Sequence, residues 1–468
     1  MLKVKNKKWQ QVIDLCFENG QGHVFRFWDE MNDDQRNELI DQLSRIDWPQ
    51  MNQLIKQALN PVKQIKHKLE PAPVISLTER ETLDRQVIPL GEEALRSGQV
   101  GVCLVAGGQG SRLGFDGPKG CFPITPVKKK TLFQLHAEKI KAMSLKYGVN
   151  LPWYIMTSRS NHEPTLAFFE EHDYFDLGKE NVFFFVQEMI PAVDEHGKFL
   201  LAEKHRIFKS PNGHGGVLKA LYQSGALKDM KQRGLKYIFY LQVDNVLVKM
   251  CDPAFIGYHI QEKAQMSSKV VRKVKPEERV GIICQIDGKT GVVEYSDLDD
   301  EHRYARDENG QLKFWAGSIA IHVLDVQFIE DENKNGFKLP FHLAHKAIPY
   351  VNEEGKLVKP LEKNGFKFET FIFDALLDAK KGCTIEVNRL QEFSAVKNQE
   401  GFDSPQTAQQ DLMRNYGNWL KQCGVEIPMK DGLPAFPIEI SPLLAIDAEE
   451  LKIKLKTIPV INGPLYLE

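Results

Sequence analysis

The amino-acid sequence predicts an α/β protein with a mostly parallel sheet. From Val100 onward, short apolar runs alternate with amphipathic segments, which is the pattern of a parallel sheet with helices on both faces. A glycine-rich loop directly follows one apolar run, and single polar residues end two others. The chain has 468 residues, 42% of them hydrophobic and 26% charged, so its length suits several domains or one large domain with additions.

Composition and charge exclude several classes of protein. The formal net charge is −2, which gives no bulk attraction to nucleic acid or to an anionic membrane, so any phosphate ligand must be held by a local cluster. The seven cysteines are scattered without a Cys-x-x-Cys pair, as expected of free thiols in a reducing compartment. No apolar run approaches 18 residues, and charges occur throughout residues 1–20. We expect a cytoplasmic protein without a nucleic-acid or membrane partner.

Residues 1–95 are predicted to form a helical segment. Apolar side chains recur at helical spacing after the acidic pair Asp33-Asp34 and again before Asn60-Pro61, where proline is expected to end the helix. These side chains are Leu39, Ile40, Leu43 and Ile46, then Met51, Leu54, Ile55 and Leu59. A further helix, up to Ser97, is expected to lead into a main domain over residues 96–400.

The main domain is predicted to begin with four buried strands and two amphipathic helices. The strands are 102–105, 152–157, 182–186 and 237–243, and the helices are 131–147 and 164–171. In open α/β sheets, ligands bind beyond the carboxyl ends of the strands. Gln187 and Asp244 directly follow two of these strands, and the glycine-rich loop follows a third. The sequence therefore predicts one binding site at this edge of the sheet.

The glycine-rich loop has the composition of a polyphosphate-binding site. Small residues follow the strand, so the backbone can turn sharply and approach a ligand closely. They are Ala106, Gly107, Gly108 and Gly110. Arg112 and Lys119 then supply two cations beside the loop. A strand, a glycine loop and adjacent positive charge together favour the binding of phosphate groups.

Two familiar phosphate-binding motifs do not match this loop. A P-loop requires Gly-Lys-Ser/Thr, but Gly110 is followed by Ser-Arg-Leu-Gly. A dinucleotide fingerprint requires Gly-x-Gly-x-x-Gly, but Leu113 stands at the third glycine position and Gly114 comes one residue late. Where an acidic residue is expected about 20 positions further on, the chain has Lys128-Lys129-Lys130. A plain glycine-rich turn would not need the ordered glycines and cations.

Asp244 and Gln187 each allow a structural and a functional interpretation. An aspartate after a strand can cap a helix or form a turn, but a hard oxygen ligand at that edge also suits Mg²⁺ shared with phosphate oxygens. For an aspartate considered alone, the structural interpretation is preferred. The amide of Gln187 offers a donor and an acceptor together, as ligand recognition can require, but a polar strand end would look the same.

Beyond residue 269 the predicted strands become shorter and turns more frequent. Strands over 281–287, 291–295 and 314–323 predict an antiparallel extension of the sheet, where a second substrate could bind. Residues 368–377 are predicted to form a helix that carries Phe368, Phe371 and Phe373. Residues 401–468 are predicted to form a small C-terminal domain with one helix followed by short strands.

The motif AGGQGSRLG followed by PKG, at residues 106–114 and 118–120, resembles the UDP-N-acetylhexosamine pyrophosphorylase branch of the UDP-sugar pyrophosphorylases. Further matches extend the resemblance over most of the chain from Val102. It implies a Rossmann-like nucleotidyltransferase sheet over residues 96–400 and a Mg²⁺-dependent uridylyltransferase. The implied substrates are UTP and a sugar 1-phosphate, with N-acetylglucosamine 1-phosphate expected first. Whether the protein is a monomer or a dimer stays open.

The resemblance also implies roles for individual residues. The catalytic cations are expected to be Arg112, Lys119 and Lys397, and Asp244 is expected to bind the metal. The nucleotide is expected to contact Ala106, Gly107, Gly108, Gln187, Gly213, His214 and Asp244. The sugar is expected to contact Gly281, Glu294, Ser318, Phe371 and Phe373. Without the resemblance, Lys397 would be interpreted as a surface lysine and the phenylalanines as core residues.

Three positions depart from the family pattern and leave the sugar open. His214, Trp315 and Ser318 stand where this branch typically has asparagine. Trp315 could instead point into the core, because neighbours on a strand face opposite ways. Glucose or galactose 1-phosphate is therefore the alternative sugar substrate.

Two further classes of function are weighed against this one. An inactive nucleotide-sugar sensor on the same fold would be expected to lack some of the charged site residues, and all four are present. An NAD-dependent oxidoreductase is disfavoured by the displaced third glycine.

Overall fold

The computed structural model describes residues 2–60 and 67–468. The chain forms two compact units. The smaller unit comprises the described residues up to 60 together with Glu188–Gly216 and Leu339–Ile372, and the larger unit comprises His67–Gln187, Val217–Lys338 and Phe373–Glu468. The division into residues 1–95, 96–400 and 401–468 stays a prediction. The predicted helix end at Pro61 lies outside the described residues.

The smaller unit packs three helices and short strands around an apolar core. Its helices are α1 (Lys7–Glu18), α2 (Asp33–Ser44) and α3 (Trp48–Leu59). A capping box between Asn32 and Gln35 begins α2, because each side chain binds the other's backbone amide. Leu39, Leu43 and Met51 are buried as their spacing predicts. The strands of this unit are Met189–Pro191, Val193–Asp194, Leu201–Glu203, Arg206–Ile207, Lys209–Pro211, His342–Lys346, Tyr350–Val351, Leu357–Val358 and Gly365–Glu369.

The larger unit is built on a ten-stranded sheet. Its strands are β1 (Leu69–Pro71), β2 (Val100–Val105), β3 (Trp153–Thr157), β4 (Val182–Val186), β5 (Tyr237–Gln242), β6 (Met266–Arg272), β7 (Ile282–Ile286), β8 (Lys289–Val293), β9 (Ala316–Asp325) and β10 (Gly382–Glu386). The order is β1-β7-β9-β5-β2-β3-β4, while β6 pairs with β9 and β10, and β8 pairs with β7. The neighbours β5, β2, β3 and β4 are parallel, so their carboxyl ends share one edge.

The predicted α/β fold class is confirmed, with parallel pairing around the glycine loop. The four predicted strands and two predicted helices of this part match observed elements to within two residues. The antiparallel extension is also present, because β7 pairs antiparallel with β8 and with β9. β9 connects the extension to the parallel strands through its antiparallel pairing with β5.

The larger unit also contains α-helices. They are α4 (Leu77–Arg96), α5 (Leu132–Tyr147), α6 (His162–Glu171), α7 (Gly216–Gln223), α8 (Ala226–Gln232), α9 (Pro253–Gln261), α10 (Asp300–Tyr304), α11 (Val326–Asp331), α12 (Arg389–Glu392), α13 (Pro405–Gln422) and α14 (Ala448–Lys454). On α5, Leu132, Leu135 and Ile140 are buried as predicted, in the same core as Val102 of β2. Within the described ranges, no helix combines the length and apolar character needed to span a membrane.

The predicted helix over residues 368–377 is wrong in its first half. Phe368 belongs to the strand Gly365–Glu369, and a 3-10 helix begins only at Ile372 and ends at Leu377. Polar and apolar residues alternate through Gly-Phe-Lys-Phe-Glu, which is the period of a strand. The strand places Phe368 in the core of the smaller unit, where it is fully buried.

The C-terminal segment contains a second helix, α14, where the sequence predicts only short strands after the first helix. Asp447 caps α14 by accepting from the backbone N of Glu450 (2.8 Å). Leu451 alone is buried on this helix, so it shows no apolar periodicity that could predict it. The predicted short strands are present as Met429–Lys430, Leu433–Pro434, Ile438–Ile440 and Leu465–Leu467.

Candidate active site

The glycine-rich loop after β2 folds back on itself in the larger unit. Gly110 N donates to the carbonyl of Gly117 (2.9 Å), and Lys119 N donates to the carbonyl of Gly108 (3.1 Å). These bonds close the loop and hold Lys119 beside it. Arg112 lies in the short 3-10 helix Ser111–Leu113 within the loop and is exposed to solvent.

Asn161 supports the start of the loop and was missed by sequence reasoning. Its fully buried side chain donates from Nδ2 to the carbonyls of Ala106 (2.8 Å) and Gly108 (3.2 Å). Both carbonyls thereby gain a partner where the backbone leaves the strand. The available sequence signal is the position of Asn161 shortly after β3, at the sheet edge that also holds Gln187 and Asp244. In the structure, Ser158 N donates to Asn161 Oδ1 (2.7 Å) in this turn.

Gln187 lies against the glycine loop. Its backbone N donates to the carbonyl of Thr157 (2.9 Å) at the end of β3. A Cβ atom on Gly107 would lie only 2.8 Å from Gln187 Oε1, so glycine is needed for this close approach. The structure therefore brings together two residues that the sequence assigns to the nucleotide.

Lys119 and Asp244 form an ion pair, with 3.0 Å between Nζ and Oδ2. Burial alone would raise the pKa of Asp244, but the ammonium groups of Lys119 and Lys397 outweigh it and hold this pKa below its ordinary value. Asp244 is thus an ionised carboxylate with two cations beside it. Such a group can share a metal ion with phosphate oxygens.

The segment that carries Lys397 pairs with the segment that carries Asp244. Val396 N donates to the carbonyl of Asp244 (3.0 Å), and Lys397 itself is exposed. A Cβ atom on Gly114 would lie 3.0 Å from the side chain of Gln399, so the same segment also reaches the glycine loop. Three stretches distant in sequence therefore place Lys119, Asp244 and Lys397 in one cluster.

Asp244 fits a Mg²⁺ site that substrate phosphates complete. Among the residues that the structure describes, no group of three or more His, Cys, Asp or Glu side chains could hold a metal ion. Mg²⁺ commonly binds one or two carboxylates together with substrate phosphates and waters, so one ionised carboxylate beside a phosphate-binding loop suits it.

Three of the predicted sugar-binding residues lie together in the antiparallel extension. Ser318 N donates to the carbonyl of Gly281 (2.8 Å). A Cβ atom on Gly281 would lie 3.2 Å from Glu294 Oε1, so the absence of a side chain there leaves room beside that carboxylate. Phe373, which also belongs to the larger unit, is buried.

Trp315 is only half buried and does not fill the core. The guanidinium carbon of Arg272 lies 4.1 Å from the centroid of its ring, in a cation–π contact. Arg272 in turn donates from Nε to Glu386 (2.7 Å). The tryptophan that replaces a family asparagine is therefore engaged with a charged pair.

Gly213, His214 and Phe371 lie together in the smaller unit. Gly213 has a φ of +81°, and a Cβ atom there would lie 2.3 Å from the carbonyl of Thr370, so glycine is required. Ile372 N donates to His214 Nδ1 (3.2 Å), and the rings of His214 and Phe371 lie 5.4 Å apart. His214 thus joins the loop that carries Gly213 to the segment that carries Phe371.

Sequence reasoning missed two further residues near Asp244. The buried amide of Asn245 binds the segment of Lys397, although nothing but its position next to Asp244 could have indicated it. The backbone carbonyl of Asp403 accepts from Lys397 N (2.7 Å). Burial, with a contribution from Asp244, raises the pKa of Asp403, whereas Lys397 lowers it. No sequence pattern marks Asp403.

Comparison with known proteins identifies the family. The family model for UTP–glucose-1-phosphate uridylyltransferase matches residues 48–407. The chain is 36% identical to UDP-N-acetylhexosamine pyrophosphorylase-like protein 1 of Xenopus tropicalis, over 96% of this chain and 95% of that protein. It is also 36% identical to the UDP-N-acetylglucosamine pyrophosphorylase of Saccharomyces cerevisiae, over 93% of this chain and 95% of that protein.

A solved structure agrees in fold over the whole chain. The uridine diphosphate N-acetylglucosamine pyrophosphorylase of Trypanosoma brucei, solved with an inhibitor, superposes with a TM-score of 0.84 at 26% identity. The match covers 100% of this chain and 99% of that one. The motif, the fold and the family match agree, and the chain belongs to the UTP–glucose-1-phosphate uridylyltransferase family.

Proposed function

We propose that the protein transfers uridylyl from UTP to N-acetylglucosamine 1-phosphate, forming UDP-N-acetylglucosamine and pyrophosphate. The observation that carries this proposal is the cluster of Lys119, Asp244 and Lys397 beside the glycine loop. Relatives named for this activity, 36% identical over nearly the whole chain, support the choice of reaction. The proposed nucleotide contacts are the loop from Ala106 to Gly108 and the amide of Gln187.

The reaction needs positioning and charge neutralisation more than proton transfer. A phosphate oxygen of the sugar phosphate attacks the α-phosphorus of UTP in line, and pyrophosphate leaves. Because this oxygen is already ionised near neutral pH, no general base is required. Lys119 and Arg112 bind the UTP phosphates, and Lys397 binds the sugar phosphate. The three cations stabilise negative charge that moves towards pyrophosphate in the transition state.

Asp244 is the proposed ligand for Mg²⁺. When bound, the ion supplies Lewis-acid stabilisation of phosphate charge and orients the phosphate oxygens. The ion pair with Lys119 keeps the Asp244 carboxylate ionised and oriented towards the phosphate-binding loop.

Glucose or galactose 1-phosphate is the second candidate substrate. Ser318 offers a short hydroxyl beside Gly281 and Glu294, where the family branch typically offers a longer amide. A shorter side chain changes the hydrogen bonds available to the sugar, and water can fill the difference. This observation favours a site that accepts more than one sugar phosphate.

The proposal also covers the cellular location of the protein and the class of its binding partners. The cysteines are free thiols in the structure, as suits a reducing compartment, and we propose a cytoplasmic location. Substrates are small phosphorylated molecules, and the net charge of −2 gives no reason to add a nucleic-acid partner.

Pyrophosphate release tests the proposed reaction. The purified protein is incubated with UTP, Mg²⁺ and N-acetylglucosamine 1-phosphate, and each component is omitted in turn. We expect release only in the complete mixture. Thermal shift with UTP and Mg²⁺, against NAD, forms the binding control. Stabilisation by NAD but not by UTP, without pyrophosphate release, contradicts the proposal.

A further inference from the structure

Two charged groups of the cluster, Asp244 and Lys397, lie on separate segments of the larger unit. The first follows β5 and carries Asp244, and the second follows α12 and carries Lys397. Two backbone bonds join them: Val396 N donates to the carbonyl of Asp244 (3.0 Å), and Val246 N donates to the carbonyl of Ser394 (3.1 Å). The distance between the carboxylate and the lysine therefore depends on how firmly the two segments are held together.

The side chain of Asn245 adds a cross-link between these segments. Its Nδ2 donates to the carbonyl of Glu392 (2.8 Å), and its Oδ1 accepts from Ser394 N (3.0 Å) and Leu247 N (3.2 Å). Asn245 is only 4% exposed, so these hydrogen bonds are shielded from solvent. An amide is suited to the task because it supplies a donor and an acceptor at once.

Both sides of the cross-link contact ionisable side chains from other parts of the fold. The carboxylate of Glu392 lies 2.5 Å from Lys269 Nζ, which also contacts Asp252 Oδ2 (2.8 Å). On the other side, Lys139 Nζ from α5 donates to the carbonyls of Val246 (2.7 Å) and Val248 (3.0 Å). The segments that Asn245 joins are thus each anchored to the fold.

We propose that Asn245 is a positioning residue that fixes Asp244 relative to Lys397 during uridylyl transfer, an inference that rests on the proposed function. Lys397 stabilises charge that develops in the transition state, and Asp244 would hold the Mg²⁺ ion that supplies the same stabilisation, so a small displacement lowers kcat more than it weakens substrate binding. The proposed contacts of the uridine and of the sugar ring lie on other segments.

A local role for Asn245 makes a different prediction. The bond from Leu247 N to Oδ1 spans two residues and is an ordinary asparagine turn, which serine can also form. A serine hydroxyl is too short to reach the carbonyl of Glu392. Asn245→Ser therefore keeps the turn and removes the cross-link, whereas Asn245→Ala removes both.

The test compares kcat and KM for UTP and N-acetylglucosamine 1-phosphate among the wild type, Asn245→Ala, Asn245→Ser and Asn333→Ala. Asn333 is a matched buried amide that donates to the carbonyls of Ile329 (2.8 Å) and Leu218 (3.1 Å), away from the cluster. We expect kcat to fall 10- to 100-fold in both Asn245 variants, with each KM within threefold. The Asn333 variant should keep kcat within twofold even if its melting temperature falls.

Three outcomes overturn the proposal: unchanged kcat in both Asn245 variants, normal kcat in Asn245→Ser alone, or an equal loss of kcat in the Asn333 variant. A Lys397→Ala background gives a second check, because removal of Asn245 there should cost less than threefold. A full 10- to 100-fold loss in that background contradicts a role through Lys397.

Hydrogen exchange separates this inference from the proposed function. The amides of Val246, Ser394 and Val396 should exchange at least tenfold faster in both Asn245 variants and at the wild-type rate in the Asn333 variant. If the wild type shows no turnover with any sugar phosphate, the proposed function fails. In that case faster exchange still supports the cross-link, and unchanged exchange overturns it.

Discussion

At the scale of single residues, the site depends on one carboxylate and the cations that surround it. Asp244 follows a buried strand, as the sequence indicates, and its pKa is held down by Lys119 and Lys397 against the effect of burial. Gln187 could be placed at one edge of a predicted parallel sheet because it directly follows a strand, and Lys119 could be placed beside the glycine loop because it lies just beyond it. Asn161 and Asn245 could not, because their amides bind backbone carbonyls that only the folded chain brings within reach.

Removal of the Lys119 ammonium tests the phosphate-binding role. Lys119→Ala should lower kcat by about 100-fold or more, on the order of 3 kcal/mol of transition-state stabilisation, since one preorganised donor is lost. Arg112→Ala is expected to have a comparable effect. Steady-state kinetics at saturating UTP measures both. Near-normal turnover in either variant removes that residue from the phosphate-binding site.

The metal role of Asp244 is tested by its amide. Asp244→Asn keeps the shape of the side chain but is a poorer ligand for a hard cation, so activity should require a much higher Mg²⁺ concentration. Activity is measured as a function of Mg²⁺ concentration. Asp431→Asn, at an exposed turn with positive φ, is the matched control and should titrate like the wild type. If Asp244→Asn also titrates like the wild type, the metal lies elsewhere.

At the scale of elements, strands and helices with a clear period could be predicted and elements without one could not. β2 to β5 carry continuous apolar runs, and α5 places its apolar residues on one face. The strand Gly365–Glu369 was missed because three phenylalanines from Phe368 onward suggested a helix. The alternation of apolar and polar residues that indicates the strand begins earlier, at Gly365. α14 was missed because only one of its residues is buried.

A buried charge cluster around Asp252 in the larger unit is expected to contribute to stability. Burial alone would raise the pKa of Asp252, but Lys249, Lys269 and Arg80 hold it well below the ordinary value. Asp252→Asn keeps the helix-capping oxygen of α9 but removes one of the two carboxylates that pair with the buried Lys269. The free energy of unfolding should fall by about 3–5 kcal/mol, the usual cost of breaking a buried pair.

The pH dependence of this loss has a defined sign. Because the folded pKa of Asp252 is depressed, its contribution is present at neutral pH and lost as the pH falls below about 4, the ordinary value for aspartate. Urea unfolding at pH 7 and at pH 3 should therefore show a smaller difference between variant and wild type at pH 3. Asp41→Asn, which breaks the exposed pair with Arg45, should change stability by less than about 1 kcal/mol. Equal effects of the two substitutions at pH 7 contradict this account.

At the scale of the whole molecule, the chain assembles the smaller unit from three separate segments. Local sequence patterns predict helices and strands. They do not predict that three segments far apart in the sequence join in one unit, because this depends on contacts between those segments. The fold class could nevertheless be inferred from the alternation of apolar strands and amphipathic helices, and the reaction type from the resemblance of residues 106–120 to a known family. The sugar could not, because its recognition depends on a few side chains whose arrangement no periodicity reports.

Sugar selectivity is expected to be broad. N-acetylglucosamine 1-phosphate should be accepted, and glucose or galactose 1-phosphate should compete, with kcat/KM values that differ by about 10- to 200-fold, the usual range for one pocket feature. Ser318→Asn restores the amide typical of the family branch and should widen the preference for the N-acetylated sugar. The specificity constants are measured for each sugar phosphate with wild type and variant. Strong turnover of glucose 1-phosphate with none from the N-acetylated sugar reverses the assigned preference but retains uridylyl transfer.

Phosphorus NMR of a single reaction mixture tests uridylyl transfer most directly. Wild-type protein is incubated with UTP, Mg²⁺ and N-acetylglucosamine 1-phosphate, and the phosphorus signals are followed with time. We predict that the UTP and sugar phosphate signals decline together while the diphosphate signals of UDP-N-acetylglucosamine and the signal of pyrophosphate grow in equal amounts. Formation of UMP and pyrophosphate with the sugar phosphate unchanged would show hydrolysis in place of transfer, and that result would contradict the proposed function.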